Sequence, residues 1–127
     1  MADRRALGQR GEALAAAHLA ARGCTSLAAN WRPAGGEVRG ELDLIVQDGP
    51  ALVFVEVRTR RGATPGRAEE SVTPAKQARL IALAEAYLQA HALPADGTDW
   101  RIDVVAVWVR PGGTAVLTWL RGAVEGG

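Results

Sequence analysis

A chain of 127 residues, 48% hydrophobic and 23% charged, has the length and balance of one soluble domain, residues 1–127, and is too short for two. No apolar run approaches the roughly 18 residues a membrane span needs, and the first ten residues lack a secretory signal's apolar core, so a cytoplasmic location is expected. Cys24 is the only cysteine and His18 and His91 the only histidines, which excludes an internal disulfide and a cysteine–histidine zinc set; a net charge of +1 neither demands nor excludes a nucleic-acid partner.

The segment from about Asp3 to Arg22 reads as a helix: it is rich in Ala, repeats Leu7, Leu14, Ala17, His18 and Ala21 at helical spacing, and stops at Gly23. Gly8, Gly11 and Ala15 form a stripe of small residues that lets it approach a sheet, with Glu12 between the two stripes, at the edge of the packed face. Thr25 to Arg32 reads as a strand and Pro33 to Gly36 as a turn or loop. Leu42 to Val46 and Leu52 to Thr59 are strands joined through Gln47–Ala51 as a short hairpin. Arg61 to Val72, rich in Gly, Pro and charge, reads as a mobile loop. Thr73 as N-cap and Pro74 at the first helical position then start a helix that runs to about His91, with Ile81, Ala84, Tyr87 and Leu88 facing inward. Arg101 to Val109 and Ala115 to Leu120 complete the chain as strands around a Pro111–Thr114 turn. The expected fold is α/β, a single three-layer-like domain with a mixed central sheet flanked by helices, in the order α-β-β-β-α-β-β.

Side chains alternate faces along a strand, so Glu41, Asp43 and Ile45 share one face, and Leu42, Leu44 and Val46 the other. In the next strand Phe54, Glu56, Arg58 and Arg60 lie opposite Val53, Val55 and Val57. If the hairpin pairs these faces, Asp43 and Glu56 converge near one edge of the sheet. Ionised carboxylates in central strands are costly to desolvate unless something compensates, and a divalent metal is one such compensation. Asp43 and Glu56, with Glu12 or Glu41, supply the hard oxygen ligands Mg²⁺ prefers. Arg58 would add a fixed positive charge at a phosphate under attack. Between Arg58 and Arg79 six cationic residues (Arg58, Arg60, Arg61, Arg67, Lys76, Arg79) accompany two anionic ones (Glu69, Glu70), a basic rim suited to phosphate. Lys76 falls in a helix's first turn, where the dipole disfavours a cation; it is either placed for a ligand's negative charge or simply solvated. The structural alternative has Glu56 salt-bridged to Arg58 and Arg60 on a half-exposed edge and Asp43 capping the hairpin; spacing alone does not choose.

Gly11-Glu12, Asn30-Trp31-Arg32, the run Gly40 to Ile45, Phe54 to Arg58 with Arg60, Lys76, and the run Arg101 to Val105 together resemble the YraN-like family of small uncharacterised bacterial proteins, over about Ala6 to Val124. That family is similar to the PD-(D/E)XK nuclease superfamily, with the restriction-endonuclease-like fold of Holliday-junction resolvases and tRNA-splicing endonucleases. The resemblance implies a Mg²⁺- or Mn²⁺-dependent endonuclease acting on DNA or RNA. By that correspondence Asp43 is the metal-binding Asp, Glu56 the (D/E), Arg58 the Lys of the motif and Glu12 the extra helical Glu of the resolvases, while the Val57 carbonyl helps hold the metal. Resolvases of this fold generally dimerise, which implies a homodimer. The departure is Arg58. With a pKa above about 12, Arg keeps the charge of the usual Lys but cannot serve as a general base. Fourteen of the fifteen basic residues are Arg, so a compositional swap accounts for it.

Arg60, Arg61, Lys76 and Arg79 are the expected backbone contacts, with Trp31 kept as a contact for an unpaired base. Trp108 and Trp119 fall in strands and read as core or interface, His18 and His91 as packing or surface, Cys24 as a small buried residue. Asp103 beside Arg101 is either a structural ion pair or a metal ligand. Two further readings stand beside the nuclease: a non-catalytic nucleic-acid-binding module with the same fold, and a structural protein in which Glu56 and Arg58 form ion pairs.

Overall fold

Valines and leucines alternate along the central strands so that Val53 and Val55 bury on one side of a sheet while Leu52 and Phe54 bury on the other. In the computed structural model, which describes residues 4–64 and 72–124, the chain runs α1 (Arg4–Ala21), β1 (Thr25–Trp31), β2 (Leu42–Asp48), β3 (Ala51–Arg61), α2 (Pro74–Ala90), β4 (Trp100–Val109) and β5 (Ala115–Val124). This is the expected order. Most of the loop expected between Arg61 and Val72 lies outside the described residues. The five strands lie in the order β1-β2-β3-β4-β5; β3 and β4 are parallel and the other neighbours antiparallel. Parallel neighbours need a crossover, which α2 supplies.

Each face of the sheet is covered by one helix, giving three layers. Ala15 and Leu19 of α1 pack on Leu44, Val46, Val53, Val55, Val105 and Val107. Leu83, Ala84, Tyr87 and Leu88 of α2 pack on Ile45, Leu52, Phe54 and Ile102. Thr73 caps α2 as expected, its hydroxyl accepting the Lys76 N–H at 3.3 Å, with Pro74 following. Among the described residues no helix is long and apolar enough to cross a membrane.

Three local expectations are corrected. In α1 the buried stripe is Gly11, Ala15 and Leu19, whereas Ala17 and Ala21 are exposed. Alanine on every side gives the helix little contrast, and the close approach is fixed at Gly11, where a Cβ would overlap the Thr59 side chain of β3. Leu42 packs in the α2-side cluster with Ile45, not with Leu44 and Val46. The β2–β3 pairing ends at Leu44↔Val55, and Leu42, still paired with Trp31 of β1, packs with Trp31 on the α2 side. Finally, β5 continues past Leu120 to Val124 through a bulge: Val104 pairs with Leu120, but Ile102 pairs with Val124.

The bulge wraps a buried carboxylate. Asp103 is fully buried and accepts from Arg101 Nε at 2.9 Å, Trp119 Nε1 at 2.9 Å and the Gly122 N–H at 2.8 Å, Gly122 taking a φ of 62° that suits glycine. Arg101 also bonds Asp48 at 2.7 Å. With its oxygens saturated by protein donors, Asp103 is a structural ion pair.

Candidate metal and phosphate site

Where the β2–β3 ladder stops, Asp43 and Glu56 stand opposite each other one step beyond the last pair. The next ladder bond is replaced by a side chain: the Val57 N–H of β3 donates to Asp43 Oδ2 at 2.8 Å. The sheet therefore opens at this point, and a polar side chain occupies the gap.

Two acids reach this gap from outside the hairpin. Glu12 follows Gly11, the point of closest approach between α1 and β3. Glu41 follows Gly40, whose φ of 115° turns the chain into β2 and favours glycine. Glu12, Glu41 and Asp43, all half-buried, each present a ligand oxygen within 4.8 Å of the others. Glu56 is not within that tight group, but it touches Asp43 and shares a hydrogen bond with it. Asn30 stitches the cluster from β1, its Nδ2 donating to Glu12 Oε1 at 2.9 Å and to Glu41 Oε1 at 3.0 Å. Arg32 Nε donates to Glu41 Oε2 at 3.0 Å. Arg58 Nη1 lies 3.5 Å from Glu56 Oε2.

Crowding raises the cost of ionising Asp43. The Asp43 carboxyl is pushed up to about 8, first by burial and then by the charge of Glu56; the Val57 N–H opposes the shift, while the hydrogen bond with Glu56 and the charge of Glu12 add to it. A divalent cation among these oxygens would reverse that balance, and the donor set of hard carboxylate oxygens is of the type Mg²⁺ and Mn²⁺ take.

Cations rim the acids on both sides. The hollow containing Glu12 and Asp43 is bordered by Arg4 and Arg61 on the α1 side and by Arg60, which alternates to the other face of β3. On the α2 side, Glu41 faces Lys76 and Arg79. Glu56 and Arg58 line both hollows, which places them at the junction. The structure thus brings together Glu12, Glu41, Asp43, Glu56, Val57 and Arg58, with Arg61 on the α1 flank, Lys76 and Arg79 on the α2 flank, and Arg60 on the same face of β3 as Arg58. Val57 enters through its N–H.

The remaining candidates lie elsewhere. Trp31 packs edge-on against Tyr87, centroids 5.2 Å apart, beside the α2-side core. His91 stacks on Tyr87 at 4.0 Å, and the His18 ring lies 3.2 Å from Arg22, its pKa lowered by burial and then by that guanidinium. Cys24 is buried, which pushes its thiol pKa up. A separate hollow at the β5 edge, lined by Val72, Gln77, Trp119 and Arg121, contains no carboxylate.

Sequence reasoning missed Asn30 as a site residue. It adopts a φ of 52°, in the left-handed region where Asn is the most tolerated side chain after Gly, and this conformation, one residue before the end of β1, sets the amide beside Glu12 and Glu41. The usable signal was an Asn at a strand end in the Asn30-Trp31-Arg32 motif.

Residues 11–107 match the model of a family described as "Uncharacterised protein family UPF0102". The chain is 56% identical over 103 residues to a UPF0102 protein of Roseiflexus castenholzii, covering 81% of this chain and 79% of that one. It is 50% identical over 109 residues to one from Chloroflexus aurantiacus, covering 86% and 84%. A UPF0102 protein of Stutzerimonas stutzeri is 43% identical over 125 residues, 98% of this chain and 99% of its own length.

Proposed function

The chain belongs to the uncharacterised protein family UPF0102, the YraN-like family its motifs resemble, and we propose that it is a cytoplasmic, metal-dependent endonuclease hydrolysing phosphodiester bonds in branched or structured nucleic acid. The observation that carries this reading is the convergence of Glu12, Glu41, Asp43 and Glu56 at a gap in the sheet rimmed by cations on both sides.

Asp43, with Glu41, Glu12 and Glu56, would hold Mg²⁺ or Mn²⁺. Such an ion, when bound, supplies a water of lowered pKa and neutralises charge on the phosphate. Arg58 presents a planar, permanently charged fork at the junction of the two hollows, suited to two phosphate oxygens. Because it cannot take a proton, the proton of the attacking water goes to a carboxylate oxygen of the cluster or to solvent. Lys76 and Arg79 sit in the first two turns of α2, where the positive end of the helix dipole adds to their charge. Arg60 and Arg61, on opposite faces of β3, extend the positive rim along that strand and hold the backbone there.

The test is incubation of the protein with single-stranded, duplex and four-way-junction DNA and with structured RNA, in Mg²⁺, Mn²⁺ or chelator. Metal-dependent cleavage that Asp43→Ala abolishes is expected. Cleavage of none of these substrates, or cleavage undiminished by Asp43→Ala, overturns the proposal. A second reading, a binding module without turnover, is favoured by one observation, Arg58 in place of the usual Lys. It predicts binding that survives chelation and Asp43→Ala, and that weakens with salt at a log–log slope of about −0.9 per duplex phosphate contacted.

A further inference from the structure

Trp108 stands on a part of the sheet that neither helix covers. Val105, Val107 and Val109 of β4 bury under α1, so Ala106 and Trp108 face the opposite side, beyond the N-terminal end of α2. The neighbouring strands extend this face. Arg58 pairs with Ala106 and Arg60 with Trp108 on β3, while Thr118 pairs with Ala106 and Val116 with Trp108 on β5. Ala106, Trp108, Val116 and Thr118 belong to neither core cluster; Val116 and Thr118 are exposed and Ala106 and Trp108 half-buried.

The Trp108 ring is fixed and carries a cation. Its Nε1 donates to the Gly62 carbonyl at 2.9 Å, which ties the indole to the end of β3. The guanidinium of Arg110, an exposed residue, lies over the ring 5.0 Å from its centroid. An immobilised aromatic surface flanked by Arg60 and Arg110, with Arg58 one row away at the acid cluster, combines the two elements that bind unpaired nucleic acid: a π-face for a base and positive charge for the phosphates.

We propose that this face of β3, β4 and β5 binds an unpaired stretch of the substrate, with a base stacked on Trp108 and adjoining phosphates on Arg60 and Arg110. The proposal rests on the nucleic-acid reading of the acid site and adds that the substrate is single-stranded next to the bond to be cut. Trp108 is four residues along the sheet from the row of Glu56, ~13 Å at the rise of a strand, so the stacked base lies within a few nucleotides of that bond. Arg110 moves from the ring to a phosphate as the base arrives, exchanging a solvent-exposed cation–π contact for a stronger base stack and an ion pair. Charge argues against a second copy of the chain as the occupant, because two-fold pairing across this face would bring the Arg60 and Arg110 side chains of both copies together.

Binding of labelled oligo(dT) and of a blunt duplex of equal length, read by fluorescence anisotropy in chelator at low salt, tests the proposal. Trp108→Ala should weaken oligo(dT) binding about ten-fold, leave duplex binding within about two-fold, and be largely rescued by Trp108→Phe. Thr118→Glu, at an exposed position, should weaken oligo(dT) selectively by adding repulsion without disturbing the core. Oligo(dT) binding unchanged in both variants overturns the platform while leaving the acid-site reading intact. No binding of either nucleic acid by the unaltered protein overturns both. Sedimentation showing a dimer that Trp108→Ala dissociates assigns the face to a second copy and also overturns it.

Discussion

The Asp43 carboxylate accepts the Val57 N–H at 2.8 Å, at the point where β2 and β3 cease to pair. One side chain thus closes an open backbone position and draws β3's acid, Glu56, against β2's. The same geometry that fills the gap creates the electrostatic strain that a cation would relieve.

That strain has a pH signature. The Asp43 carboxyl sits at about 8 in the folded chain, against about 3.9 for an unperturbed Asp. Between those values the folded state holds a proton that the unfolded state has released, so stability falls as pH rises. This contribution is fully present below about pH 4 and is lost as pH passes about 8. In chelator, the melting temperature should therefore fall between neutral pH and pH 9 more steeply than in Mn²⁺. Mn²⁺ binding at pH 7 should also release protons, seen as a heat of titration that varies with the buffer's ionisation enthalpy.

Asp43→Asn separates function from stability. The amide oxygen can still accept the Val57 N–H, but the charge beside Glu56 is gone. The variant should melt higher than the parent in chelator at pH 9, by at least about 3 °C, or roughly 1 kcal/mol for a chain of this size. It should also lose the stabilisation by Mn²⁺. A lower melting temperature at pH 9 contradicts the like-charge origin of the strain.

Arg58 is expected to act on the phosphate as a charge. Arg58→Ala should lower the cleavage rate about 10²- to 10³-fold, as loss of one transition-state donor does, with Mn²⁺ affinity little changed. Arg58→Lys should keep most of the rate, because the charge survives. Rates in the two variants are compared under single-turnover conditions.

Asp103 should matter to folding and not to metal. Asp103→Asn leaves Arg101 without its buried counter-charge and should cost about 3–5 kcal/mol in chemical denaturation. Mn²⁺ affinity of the protein that remains folded should equal the parent's.

The strands and α2 were legible because their signals are local: β-branched alternation marks β2 and β3, and Thr73-Pro74 marks the helix start. The meeting of Asp43 with Glu56 followed from a short hairpin, whose length fixes its register. Three features depended on distant contacts and were not legible. The buried stripe of α1 is selected by Thr59 against Gly11, which an alanine-rich sequence cannot announce. Leu42 packs on the α2 side with Trp31, its partner on β1. Asn30 joins Glu12 and Glu41, residues 18 and 11 positions away, through a left-handed backbone conformation that no local pattern required.

Crystals soaked in Mn²⁺ test, without any choice of substrate, whether these carboxylates hold a divalent ion. An anomalous difference peak is expected within coordinating distance of Asp43, shared with at least one of Glu12, Glu41 and Glu56, and absent from Asp43→Ala crystals. Fully soaked crystals with no peak at these four acids would contradict metal binding there.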